Sequence, residues 1–291
     1  MSSNWKETIL TTEEKVLEVL ADLQGKHWLS RGQSDCDYSL VPSIDRDHFG
    51  LPANGKDGLS IDRHKLNSLS RFEKISLERQ SIDLFKSNAR CFAGPAEQNA
   101  LFDDVVALMV IRHYGVPTRL LDWSKSSYVA AYFAVSCNDK KNGVIWSFDQ
   151  RHYRKPAEEQ WIKWPETTSD FSGDPTKFDA KLTAFSLVEP PDWFIVGYYL
   201  ANGFPRQNAQ NGCYTMTARF GRDHAEAIER LFADSLRHHR YVIPAQLKPG
   251  LRRILREEHA VWRGTLFPDS AGAADTAREV FKLSSGSVSG S

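Results

Sequence analysis

The chain opens on a stretch in which apolar residues recur at every third or fourth position. TEEKVLEVLADLQ, residues 12–24, has its valines and leucines at helical spacing and its acidic residues in the first turn. Thr12 can cap the start of this helix, and Gly25 can end it. The pattern predicts an amphipathic helix near the N terminus.

Further helical patterns alternate with shorter apolar runs along the chain. Helical spacing predicts helices over residues 71–92, 102–112, 128–135, 223–238 and 249–259. Short or alternating apolar runs predict strands at residues 27–33, 120–121, 143–148, 212–218 and 240–245. Helices and strands interleave irregularly, which favours an α+β fold, a single domain with a mixed or antiparallel sheet flanked by helices.

The same patterns suggest where the domain begins and ends. Residues 1–26 hold the N-terminal helix, expected as an appendage, and residues 27–283 form the domain itself. The serine- and glycine-rich residues 284–291 have linker composition and are expected to be a disordered tail. Residues 45–65 and 151–183 lack regular patterning, so we expect a loop and an irregular segment there.

Composition narrows the classes of function. The 291 residues are 41% hydrophobic, and 37 Lys and Arg balance 37 Asp and Glu. A formal net charge of zero argues against a general nucleic-acid binder, whose affinity comes from neutralising phosphates. The four cysteines form no closely spaced pair, so no metal site is expected. Without a signal-peptide pattern or a run long enough to span a membrane, the chain is expected to be cytoplasmic, with no membrane partner.

Candidate chemistry first arises at the first predicted strand, in the run WLSRGQSD. Arg31 offers five N–H donors in a planar fork that suits phosphates, and Gly32 lets a ligand or another backbone approach closely. Gln33 adds a neutral donor and acceptor. The alternative is a structural arginine that stacks on Trp28 or pairs with Asp35.

A second run, HYGVPTRLLDWSKSSYVAAYFA, sets polar residues just ahead of an apolar helix. Its candidates for ligand contacts are His113, Thr118, Arg119, Asp122 and Ser124. We expect Asp122 at the end of a short buried strand and Ser124 at the cap of the next helix, whose N terminus suits an anion. Alternatively, Arg119 pairs with Asp122 and Ser124 only starts the helix. In that case the His113 side chain lies in the core with its hydrogen bonds made to other protein groups.

A third candidate is Gln210, which stands with Asn211 and Gly212 just before a predicted strand. Two neighbouring amides can read hydrogen-bonding edges, but Asn-Gly is also a strong turn signal. We expect Arg31, Asp122 and Gln210 to meet in one cleft, because each combines a strand end with a polar cluster.

These runs resemble the FRG domain family, which is named for an aromatic–Arg–Gly motif. In this chain Ser30 stands before Arg31 where the family usually has Phe or Tyr. HYGVPTRLLDW is close to the most recognisable block of the family, and three other runs are similar to stretches of the family: LVPSIDR, PRQNAQNGCYT and TLFPDSAGAA. The resemblance covers residues 27–280 and implies a prokaryotic protein, of a family in which some members look like defence or toxin effectors.

A more distant similarity links the chain to ADP-ribosyltransferases, which bind NAD with an Arg or His on a first strand and a serine-containing strand-to-helix segment. SRGQ and DWSKSSYVAAYFA look like those two elements. The similarity implies a transferase-like architecture, NAD as the substrate, and Arg31 on the pyrophosphate or the adenine ribose. It implies cofactor contacts by the other polar candidates, Gly32, Gln33, His113, Thr118, Arg119 and Ser124.

The acid that such enzymes use is missing from its usual pattern. They generally carry a Glu in E-x-E or Q-x-E, and this chain contains neither. By the resemblance, Asp122 becomes the candidate to face the ribosyl carbon, and Gln210 the candidate to orient the acceptor or the ribose hydroxyls. Two classes stay open: an enzyme that cleaves NAD, as a transferase or a glycohydrolase with an unnamed macromolecular target, and a non-catalytic module that binds a nucleotide or a nucleic-acid end.

Overall fold

The computed structural model describes residues 5–25, 27–46, 68–90, 94–152, 195–198, 204–217, 219–231, 235–270, 272–274 and 276–278. The expected loop at 45–65, the irregular segment at 151–183 and the tail at 284–291 lie wholly or almost wholly outside these residues. Within them, the chain forms a single α+β domain with a mixed sheet, as predicted.

The sheet has seven strands in the described part of the chain. They are β1 (Lys6–Ile9), β2 (Trp28–Gln33), β3 (Leu120–Ser124), β4 (Gly143–Asp149), β5 (Ile195–Tyr198), β6 (Gly212–Thr217) and β7 (His238–Ile243). Their order across the sheet is β1-β7-β4-β2-β3-β6-β5. Strand β1 runs parallel to β7, and every other neighbouring pair is antiparallel.

Residues 272–274 and 276–278 are helical, and further α-helices accompany the sheet in the described part of the chain. They are α1 (Glu13–Leu23), α2 (Arg71–Ala89), α3 (Pro95–Phe102), α4 (Asp104–His113), α5 (Ser127–Val135), α6 (Pro205–Ala209), α7 (His224–Leu231), α8 (Lys248–Glu257) and α9 (Arg263–Leu266). The predicted helix over residues 223–238 is wrong at its end, because α7 stops at Leu231 and His238 begins β7. Strand pairing with β4 decides the conformation there.

The N-terminal helix forms where predicted and is built into the domain. Thr12 caps α1 by accepting a hydrogen bond from the Lys15 N–H. Val16 and Leu20 of α1 pack with alanines of α5 and leucines of α8 in one buried cluster. Because β1 also joins the edge of the sheet, the first residues of the chain are a structural layer of the domain.

Helices α4 and α5 lie over the same face of the sheet, on either side of the junction between β2 and β3. Leu120 of β3 packs with the apolar residues of α4. Gly32 of β2 lies directly under α5, where a Cβ atom would collide with the carbonyl of Ala130. Strands β2 and β3 pair only at Ser30 and Ser124. The sheet therefore has a gap beside the Ser30–Ser124 pair. The space between α4 and α5 lies above this gap.

Candidate functional site

A cavity of about 260 Å³ occupies the space above the β2–β3 junction. Arg31, Asp122 and Gln210, which lie far apart in the sequence, all line it, so the expected convergence on one cleft is confirmed. Six of the nine candidate residues are on its wall: Arg31, Gly32, His113, Asp122, Ser124 and Gln210.

The other three candidates lie outside the cavity and have structural partners. Gln33 accepts a hydrogen bond from the Trp146 indole and donates one to the Ser39 carbonyl. Thr118 is fully buried, and its N–H donates to the Ser43 hydroxyl. Arg119 is buried in an ion pair elsewhere in the core. The expectation that these three residues contact a ligand is wrong for this cavity, because none of them lines it.

Asp122 is the negative centre of the cavity. It lies in the middle of β3 and not at the end of a short strand, because the strand extends to Ser124. Arg112 donates from Nε and Nη2 to Oδ2 of Asp122, at 3.1 and 2.8 Å. Arg31 Nη1 lies 3.6 Å from the same oxygen and donates to the Asp122 carbonyl at 2.6 Å. The partners of Asp122 are thus Arg112 and Arg31, and Arg119 is not among them.

The two arginines also determine the ionisation of Asp122. Burial alone would raise the pKa of this carboxyl, but the charges of Arg112 and Arg31 lower it to about 2. Its side chain keeps 35% exposure, and Oδ1 has no hydrogen-bond partner among the described residues. Asp122 therefore presents one ionised oxygen to the cavity while the other holds the arginines.

Positive charge exceeds negative charge around this carboxylate. A third arginine, Arg46, interacts electrostatically with Arg31, Arg112 and Asp122. Burial, with the neighbouring arginine charges acting in the same direction, lowers the pKa of Arg31 to about 9 and that of Arg46 to about 10. Nε of Arg31 and Nη2 of Arg46 are buried donors without a partner in the described residues. Arg46 does not line the cavity, and the excess of positive charge that favours an anionic ligand comes from the wall residues Arg31 and Arg112.

His113 forms the wall at the end of α4. Its Nε2 is hydrogen-bonded to the hydroxyl of Tyr214, and its ring packs edge-on against Phe204 at a centroid distance of 4.6 Å. The main-chain carbonyl of His113 accepts a hydrogen bond from Arg206 at 2.6 Å. Burial lowers the pKa of His113 to about 4, so the imidazole is neutral at neutral pH. His113 therefore offers the cavity a neutral ring held on two sides.

The start of α5 is occupied by protein groups. Ser126, and not Ser124, caps the helix. Ser124 instead accepts from the Ser126 N–H and donates to the Gln210 carbonyl at 2.7 Å. The Ser127 N–H, which an anion would use, donates to Gln24 Oε1 at 3.0 Å. The expectation that Ser124 caps this helix is wrong, and the side chain of Gln24 in the N-terminal segment takes the place expected for an anion.

The far wall joins α6 to the segment around α9. Arg206 pairs with Asp269 through Nε at 2.7 Å, and its guanidinium lies over the Phe267 ring at 5.0 Å. Gln210 ends α6 and donates from Nε2 to the Leu266 carbonyl at 3.1 Å. Phe133 of α5 meets Phe267 edge to face at 6.3 Å. This wall combines a guanidinium with apolar rings.

The wall residues that the sequence reasoning did not single out include Arg112, Arg206 and Phe267. Each lies within or next to a run that had been singled out. Arg112 directly precedes HYGVPTRLLDW, Arg206 lies in PRQNAQNGCYT, and Phe267 lies in TLFPDSAGAA. Their presence in such runs was the available signal, because sequence spacing alone does not show which side chains face a common space.

One other cluster has the composition of a metal site. Asp35, Cys36 and Asp37 place three potential ligand atoms within 4.8 Å of one another. Lys141 Nζ lies 3.8 Å from Asp35 and 3.2 Å from Asp37, so the cluster has its own cation. Burial raises the pKa of the Cys36 thiol, which disfavours the thiolate that a metal would require. This cluster adds no support for a metal site.

Comparisons with known proteins point to one family. Residues 26–143 match the model of the FRG domain family, a span that includes β2, β3 and α5. The match starts next to the predicted domain boundary at residue 27, and the sheet continues to residue 243. Comparison with curated proteins and with solved structures gave no match. Among the described residues, every helix is too short or too polar to cross a membrane.

Proposed function

The chain carries an FRG domain, and from that premise we propose that it binds a nucleotide, with NAD as the ligand, in the cavity above the β2–β3 junction. The observation that carries the proposal is the charge balance of the wall. Arg31 and Arg112 line the cavity around a single carboxylate, Asp122. Arg206, whose charge is balanced by Asp269, lines the far wall. Guanidinium groups bind phosphate oxygens with two parallel hydrogen bonds, so this wall suits a pyrophosphate.

The remaining wall suits the uncharged parts of a nucleotide. Val129, Ala130 and Phe133 of α5 and Phe267 after α9 form an apolar side opposite the charged strands. Pockets for cofactors commonly combine such apolar walls with a few polar groups that fix orientation. A planar base or nicotinamide ring can pack against the phenylalanines while the phosphates reach Arg31 and Arg112.

Cleavage of NAD is the second candidate, and the open Oδ1 of Asp122 favours it. Breaking the glycosidic bond develops positive charge on the ribosyl carbon, and an ionised carboxylate facing that carbon lowers the barrier. Arg112 holds the carboxylate in place through Oδ2. The same pairing weakens the negative charge of Asp122, which is why binding is the primary proposal. A role as a defence or toxin effector would follow from NAD depletion or target modification.

The test is titration of the purified chain with NAD, together with a measurement of nicotinamide release. We expect saturable binding that Arg31→Ala weakens by at least about tenfold, the cost of one charge-assisted hydrogen bond. Arg252→Ala, which breaks the surface pair with Asp139, is the matched control and should bind as wild type does. If the wild-type chain releases nicotinamide and Asp122→Asn abolishes the release, the chain is an enzyme that cleaves NAD. Absence of binding at millimolar NAD would refute the proposal.

A further inference from the structure

The side chain of Tyr214 is almost wholly buried, with 1% exposure, and its hydroxyl bonds to His113 Nε2. A phenol has one proton to donate. If Nε2 carried the imidazole proton, the buried Tyr214 proton would have no acceptor among the described residues, which is unfavourable. The proton of the neutral imidazole therefore belongs on Nδ1, and Tyr214 donates to Nε2.

The register of the sheet places this pair beside the carboxylate. Asp122 of β3 is the direct partner of Tyr214 of β6, so their side chains leave the same face of the sheet. His113 and Asp122 interact electrostatically, and both line the cavity. In the described residues neither His113 Nδ1 nor Asp122 Oδ1 has a hydrogen-bond partner, and neither atom is among the buried unpaired ones.

We propose that Tyr214 fixes the His113 tautomer so that the Nδ1–H of His113 and Oδ1 of Asp122 form a donor–acceptor pair for the vicinal hydroxyls of the second ribose of the ligand, the one that is not attached to adenine. One hydroxyl donates to the carboxylate oxygen, and its neighbour accepts from the imidazole. His113 is the contact residue, and Tyr214 is a positioning residue that acts through it. The inference rests on the proposed nucleotide site and names the part of the ligand that this corner recognises.

Two probes separate the second ribose from the adenosine and the diphosphate. ADP-ribose and ADP share adenosine and a diphosphate, and only ADP-ribose carries a second ribose. We expect His113→Ala to weaken binding of ADP-ribose by about tenfold, as for one lost hydrogen bond, and binding of ADP by less than about twofold. His113→Asn, which can keep an N–H near the position of Nδ1, should recover part of the loss. Comparing variant to wild type for each probe cancels the charge difference between the probes.

A direct readout exists for Tyr214. ¹⁵N NMR of the wild-type imidazole should show a protonated Nδ1 and an unprotonated Nε2 for His113. Tyr214→Phe removes only the hydroxyl and should shift this signature towards a mixture of tautomers, with a loss of ADP-ribose affinity smaller than that of His113→Ala. Tyr241→Phe makes the same chemical change in β7, outside the cavity wall, and should change neither readout.

The outcomes are distinguishable. A wild-type spectrum with the proton on Nε2 would overturn the inference whatever the affinities are. Equal losses for ADP-ribose and ADP in His113→Ala would also overturn it, because the second ribose would then not be the partner. Failure of both probes to bind the wild-type chain would refute the nucleotide site itself, and the inference with it.

Discussion

Two arginine–carboxylate clusters flank the segment that leads into β3. They differ in their charge balance and in the solvent exposure of their side chains. Arg119 and Glu78 form a closed pair, with side chains 2% and 1% exposed and Nη2 2.5 Å from Oε2. Glu78 also accepts from the Arg119 main-chain N–H at 3.0 Å. Asp122, by contrast, stands between two arginines, keeps 35% exposure and lines a cavity.

The difference separates a structural use of these residue types from a binding use. In the Arg119–Glu78 pair one charge meets one charge out of contact with water, so removing either partner leaves an uncompensated buried ion. Around Asp122 the cations outnumber the carboxylate, and a ligand in the cavity can still use the open oxygen and the wall arginines. Charge excess in a cavity, and not the presence of an ion pair, marks the candidate site.

The largest expected effect is a loss of stability when the Arg119–Glu78 ion pair is broken. Glu78→Gln removes the charge that balances Arg119 and should lower the free energy of unfolding by about 3–5 kcal/mol. Chemical denaturation followed by circular dichroism measures it. Asp104→Asn is the control, because its pair with Lys86 is more exposed and should cost no more than about 1 kcal/mol. Similar losses for the two variants would show that the closed pair has no special structural weight.

The next effect concerns the open cluster. Arg112→Gln removes the group that holds Asp122 Oδ2 and faces the cavity, so affinity for ADP-ribose should fall about 10- to 100-fold. Unfolding free energy should fall by less than in Glu78→Gln, since Asp122 is partly solvated and keeps Arg31. Isothermal titration calorimetry gives the affinity. If the variant binds ADP-ribose as wild type does but is much less stable, Arg112 has a structural role like that of Arg119 and no role in binding.

A smaller effect of opposite sign is expected when the carboxylate is neutralised. Asp122→Asn leaves Arg31 and Arg112 without their counter-charge, so inorganic pyrophosphate should bind several-fold more tightly than to wild type. The gain should shrink at high salt, because screening weakens the attraction. Competition with a bound nucleotide measures it. Weaker binding of pyrophosphate in this variant would contradict the idea that Asp122 offsets the positive charge of the site.

The last expected effect is on the pH dependence of stability. The folded pKa values of His113 and His224 are lowered to about 4 and about 3, chiefly by burial. Between pH 6.5 and 4 the unfolded chain therefore binds protons that the folded chain does not, and stability falls as the pH falls. The lowered pKa of Asp122 acts only below about pH 3.8. Urea midpoints at pH 7 and pH 5 should show the drop, and His113→Asn should reduce it. A stability that rises towards pH 5 would contradict this expectation.

Local signals in the sequence predicted much of the scaffold. The caps and spacing of α1 and the apolar runs of β2 and β4 were confirmed, since short-range patterns dominate there. Gly32 was predicted to allow a close approach, and the approaching backbone is that of α5. His238 was misplaced at a helix end, because pairing with β4 overrides the local pattern.

Local signals in the sequence could not predict which charged residues form pairs. Arg112 and Arg119 both lie close to Asp122 in the sequence, and nothing in their spacing distinguishes them. The choice depends on Glu78, which lies 41 residues before Arg119 and takes it into the core. In the same way, the sequence at the start of α5 is typical of an anion site, but the side chain of Gln24 in the N-terminal segment occupies it. Contacts of this range depend on the packing of whole elements.

The central claim is that the excess positive charge above the β2–β3 junction holds the phosphates of a nucleotide, and a crystal structure of the chain with ADP-ribose tests it most directly. We predict phosphate oxygens within hydrogen-bonding distance of the guanidinium groups of Arg31 and Arg112, with the second ribose beside His113 and Asp122. A ligand bound elsewhere on the chain, or a cavity left empty at a concentration that saturates binding in solution, would contradict it.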